Sequence, residues 1–135
     1  MTSGPALVSI LRQGDYLIAS VHTALDDTQI IRFQNDLIDQ IGTFRSRGVV
    51  IDVAALDVLD SFAARTLQHI AEMARLRGAR TVIVGIQPEV AFAMVMLGME
   101  PGSVATALDL EEGLAYLDGR LADGNRRDGI SRGRD

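Results

Sequence analysis

Val49-Val50-Ile51-Asp52-Val53-Ala54-Ala55-Leu56-Asp57-Val58-Leu59-Asp60-Ser61-Phe62-Ala63-Ala64-Arg65 runs from a strand, through an acidic turn, into a helix. Val49–Val53 is short and almost wholly apolar, the pattern of a strand covered on both faces. From Ser61 to Arg77 the apolar residues Ala63, Leu67, Ile70, Ala71 and Ala74 form one helical stripe. Ser61, Arg65, Gln68, Glu72 and Arg75 fall on the opposite side, and Gly78 supplies a C-terminal stop. A strand of this kind leading into an amphipathic helix points to a layered α/β domain.

The flanking sequence extends that pattern. Leu7–Leu11 and Tyr16–Val21 read as strands joined by Gln13-Gly14-Asp15, hence a hairpin. Asp26 or Asp27 can cap a helix reaching about Arg47, with Ile30, Phe33 (or Ile31), Leu37, Ile38, Ile41 and Phe44 on its apolar side and Gly48 as its end. Thr81–Ile86 is a further strand, and Pro88 opens a helix to Leu97. A weaker strand spans Val104–Ala107, and Asp109 caps a last helix with the stripe Leu110, Leu114, Leu117 and Leu121. The expected architecture is one α/β domain over residues 1–122, a central mixed β-sheet packed against amphipathic helices. Residues 123–135 lack apolar periodicity and read as a disordered tail.

Composition excludes several functions. The 135-residue chain has no cysteine, so no disulfide framework or thiolate metal site is available. His22 and His69 stand far apart in sequence, which argues against a zinc site. The net charge is −5, and residues 1–122 carry nine arginines against fifteen carboxylates, the wrong balance for a nucleic-acid groove. There is no signal-peptide pattern, and the longest apolar run, Val90–Leu97, is too short to span a bilayer. The expectation is a soluble cytoplasmic protein with no membrane or nucleic-acid partner.

Three features are candidates for function. Ser61, where the second helix begins, can be an ordinary cap or first-turn serine. It can also be a phosphorylation site, because a phosphate there would meet free N–H groups and the positive end of the helix dipole. Phe62 lies off the Ala63/Leu67/Ile70 stripe, on a line with Thr66, His69 and Met73, and Val58 and Leu59 are apolar residues in a turn. Together they suggest an apolar, partly exposed rim that would suit protein contact. Asp52, Asp57 and Asp60 could form a carboxylate active site or Mg²⁺ pocket. They lack an accompanying nucleophile and base, and turn formation and capping suit Asp57 and Asp60. The third feature is Val90–Leu97, apolar nearly all round, so that Phe92, Met94 and Met96 are candidates for self-association, a homodimer in the simplest case. Gly85-Ile86-Gln87-Pro88 matches no phosphate-loop spacing.

The run Val49–Val53 with Leu56-Asp57-Val58-Leu59-Asp60-Ser61-Phe62-Ala63-Ala64-Arg65 resembles the phosphorylation region of STAS domains, the anti-sigma-factor-antagonist family. Asp60-Ser61-Phe62-Ala63-Ala64-Arg65 and Gly85–Ala91 look most like the stressosome scaffold antagonists, the RsbS type. Sporulation-type antagonists tend instead to carry Asp-Ser-Ser-Gly at this place. The element order is similar to the STAS fold over roughly residues 5–122. This resemblance implies a stressosome scaffold without enzymatic activity or cofactor. It would assemble with sensor-bearing STAS paralogues and sequester a serine/threonine switch kinase. Phosphorylation of Ser61 would release the kinase, and a PP2C-like phosphatase would reset the state. Asp57, Val58, Leu59, Asp60, Phe62 and Arg65 are then the expected partner-binding residues. The alternative is a simple anti-anti-sigma factor that binds an anti-sigma kinase directly.

Overall fold

The computed structural model describes residues 6–99 and 104–119. Five strands, β1 (Val8–Gln13), β2 (Tyr16–Val21), β3 (Gly48–Asp52), β4 (Arg80–Val84) and β5 (Ala105–Ala107), form one sheet in the order β1-β2-β3-β4-β5. β1 and β2 pair antiparallel across Gly14-Asp15, with Gln13 opposite Tyr16. From β2 onward all neighbours are parallel, so the sheet is mixed as expected. Parallel neighbours need crossovers, and α1 (Asp27–Phe44), α2 (Ser61–Leu76) and α3 (Pro88–Met96) supply them. α4 (Leu110–Leu117) follows β5.

Strand alternation divides the core in two. Leu17, Ala19 and Val21 of β2, Val49 and Ile51 of β3, and Ile83 of β4 face α1 and α2, meeting Phe33, Leu37, Ile41, Leu67, Ile70 and Ala74. Ile18, Val50, Val82 and Val84 point the other way, under Leu110, Leu114 and Leu117 of α4. This explains why Val49–Ile51 shows no polar alternation: both faces of β3 are covered. α4 approaches closely because of Gly113, where a Cβ would stand 2.7 Å from Val84 Cγ1.

Element boundaries differ from the sequence reading in informative ways. α1 stops at Phe44, where Arg45 takes a left-handed conformation (φ 51°), and Gly48 is the first residue of β3 rather than the helix stop. Gly48 sits under Leu117, whose Cδ atoms would be 2.9 Å from a Cβ there. β4 ends at Val84 because Gly85 turns the chain with φ 78°. The proposed tail and Leu121 lie outside the described residues.

Candidate functional site

Every parallel strand ends at the same edge of the sheet, and the β3–α2 connection forms the centre of that edge. Val53 N–H continues the ladder to Val84 O at 3.0 Å. Asp52 then turns the chain, its Oδ1 accepting from Ala54 N–H at 2.9 Å. Leu56 is buried and its N–H donates to Val53 O, so the loop is pinned from below. Asp57 and Val58 stand outside, Val58 with 56% of its surface exposed, and Leu59 leans half-buried on the core.

Asp60 is the N-cap of α2. Its Oδ1 accepts from Ala63 N–H at 2.8 Å, and its carbonyl accepts from Ala64 N–H. Ser61 is therefore not the cap but the first helical residue, and it is exposed. The amides of Ser61 and Phe62 fall in the first turn, where no preceding helical carbonyl can accept from them. Arg65, four residues on, is exposed on the same side of the helix as Ser61.

Phe62 is half-buried. Thr66, placed on its line by periodicity, is buried instead and donates to Phe62 O at 2.8 Å. The covered stripe of α2 is thus wider than Ala63/Leu67/Ile70 and includes Ala64. The apolar rim around Ser61 reduces to Val58 with the exposed parts of Leu59 and Phe62. Of the three carboxylates, Asp52 and Asp60 are engaged with backbone amides, and the turn bond comes from Asp52 rather than Asp57. Among the described residues no group of three His, Cys, Asp or Glu side chains could hold a metal.

Two supports of the loop escape sequence inspection. Gln87 occupies the N-cap position of α3 without capping it, and its Nε2 donates to Ala54 O at 2.7 Å. Gly85 lies against Ala54, whose Cβ would be 2.9 Å from a Cβ on residue 85. The segment Gly85–Gln87 thus braces the loop leading to Ser61. The available signal was a glutamine where Ser, Thr, Asp or Asn would cap better.

Away from this edge, α3 buries only Val90. Phe92, Val95 and Met96 expose 68%, 70% and 68% of their surface, whereas Met94 is half-buried against the main core. Among the described residues no helix is long and apolar enough to cross a membrane.

Comparison with known proteins places this geometry in context. The family model for the STAS domain matches residues 8–113. The Bacillus subtilis "RsbT co-antagonist protein RsbRA" is 31% identical over 90 residues, covering 67% of this chain and 33% of that protein. The Bacillus subtilis "RsbT co-antagonist protein RsbRD" is 27% identical over 79 residues, covering 58% of this chain and 28% of its own length. The chain therefore spans about a third of the length of the curated relatives it matches. A serine-to-glutamate variant of Moorella thermoacetica RsbS superposes with a TM-score of 0.75 at 36% identity, covering 84% of this chain and 97% of that one. A chain from a structure of the stressosome, described there as a signal integration and transduction hub, gives 0.69 at 34% identity, covering 82% and 96%.

Proposed function

This chain belongs to the STAS family, and on that premise we propose that it is a stressosome scaffold subunit. In this reading it sequesters a serine/threonine switch kinase and releases it when Ser61 is phosphorylated. The observation that carries the proposal is the setting of Ser61: exposed, uninvolved in capping, at the start of α2 directly after the capping Asp60 and the exposed Asp57-Val58 turn. The kinship with RsbS and with proteins named as RsbT co-antagonists supports a partner of the RsbT class.

The mechanism is binding without a catalytic step. Unmodified, the small Ser61 hydroxyl lets a partner cover Val58, Leu59 and Phe62, with Arg65 and Asp57 at the margin. Phosphorylation adds about −1.5 to −2 charges beside Asp57 and Asp60. The first-turn amides and helix dipole can hold that phosphate while it faces water. A partner that must desolvate it meets a steep cost. The fold survives while the interface fails, and a PP2C-like phosphatase would restore it.

Sensor-bearing paralogues fit as co-assembling partners, since the curated relatives are about three times as long as their matched parts. The outer face of α3, with Phe92 and Met96 outward and Met94 behind them, would supply a homodimeric contact. The test is kinase affinity for wild type, Ser61→Ala, Ser61→Asp and the phosphoprotein. Ser61→Ala should bind as wild type, and the two anionic forms at least about tenfold more weakly, roughly 1.4 kcal/mol. Equal affinity across the four would overturn the proposal.

A further inference from the structure

The edge opposite Ser61 has the opposite electrostatic character. At the Ser61 edge, Asp26 and Asp27, Asp60, and Glu111 and Glu112 stand at the starts of three helices, with Asp57 in the loop and Arg65 as a basic neighbour on α2. At the far edge α1 and α2 both end, and an open cleft between their ends is lined by Arg45, Arg47 and Arg77. No carboxylate lines this cleft among the described residues. Asp15 and Asp118 lie by Tyr16 at the start of β2, a neighbourhood that Arg47 shares, so Arg45 and Arg77 are the arginines of the cleft farther from a carboxylate.

Arginines at helix C-termini are common, because they offset the dipole. Here they are also positioned. Gly42 lies inside α1, where glycine is unfavourable relative to alanine. The Arg77 guanidinium lies directly over it: a Cβ on residue 42 would collide with Nη2 and approach Cζ to 3.3 Å. The missing side chain thus lets Arg77 lie across α1 near its end, in the cleft that Arg45 and Arg47 also line.

We propose that the Arg45/Arg47/Arg77 cleft docks the acidic edge of a second copy of this chain, in a head-to-tail contact. The chain itself carries the complementary surface, and one sign of charge faces the other when copies stack in the same direction. Such a contact is heterologous, joining two different patches, and generates rings or open arrays rather than an isologous dimer. It is separate from the α3 contact; because it uses the edge that holds Asp57 and Asp60, a docked copy and a kinase on the Ser61 face would compete for that edge.

Sedimentation velocity in a Phe92→Ser/Met96→Ser background, which removes the α3 contact, tests this. Self-association should rise with protein concentration at low salt and vanish by about 0.5 M, where screening is short-ranged. Arg45→Glu/Arg77→Glu and Asp27→Arg/Asp57→Arg should each remain monomeric, and an equimolar mixture of the two should associate again. Gly42→Ala, which keeps the helix and displaces Arg77, should weaken association in a protein whose circular dichroism and melting are intact. A background protein that is monomeric at every salt concentration would overturn the proposal. Variants that associate undiminished, or a mixture that fails to recover although both variants fold, would do the same.

Discussion

Ser61 and Asp60 are neighbours with separate tasks. Asp60 holds the helix start, so Asp60→Ala should lower stability by about 1 kcal/mol in urea unfolding. Asp60→Asn retains an acceptor for Ala63 N–H and removes the charge. It should stay folded while lessening the penalty that a Ser61 phosphate imposes on kinase binding. Gly85→Ala combines a positive φ with a close approach to Ala54 and should cost more, about 1–3 kcal/mol. At this scale the sequence was informative where the interaction is local. An acidic residue before an apolar helical stripe announces a cap. Gln87 and Ala54 are 33 residues apart, and no periodicity connects them. The choice of Asp52 over Asp57 for the turn likewise depends on where β3 ends.

At the scale of elements, the period of apolar residues located α1, α2 and the buried strands because each has a clear inward face. α3 lacks that contrast. Its composition is apolar all round, and the structure turns Val90 and, in part, Met94 toward the main core, a choice that spacing does not determine. Val90→Ala should therefore cost about 2 kcal/mol, since Val90 is the buried residue of the helix. Phe92→Ser should change unfolding free energy by less than about 0.5 kcal/mol, as an exposed substitution does. If α3 is a contact surface, the same substitution should abolish its share of self-association in sedimentation. Helix stops depend on tertiary packing more than on local sequence. Gly48 suggested one, but its small size serves the packing of Leu117 on the sheet, and α1 ends earlier at a left-handed arginine.

Across the whole molecule, α4 is tied to the start of β2 by the Tyr16 hydroxyl, which donates to Asp118 Oδ1 at 2.5 Å. The bond to that carboxylate raises the Tyr16 phenol above its ordinary value of about 10, with burial adding to the effect. The native state then keeps a proton that the unfolded chain releases. This contribution to stability is complete below the unfolded value and fades as pH rises through the folded one. Tyr16→Phe should flatten the stability profile above about pH 10. On the proposed function, a covalent change at one exposed serine ends an interaction while the fold persists. The direct measurement starts from the purified complex with the switch kinase, adds Mg-ATP, and follows kinase release by size exclusion and modification by tandem mass spectrometry. One phosphate, on Ser61, should appear in step with release, with circular dichroism of the freed protein unchanged. Phosphate on another residue, or kinase that stays bound to protein phosphorylated at Ser61, would contradict it.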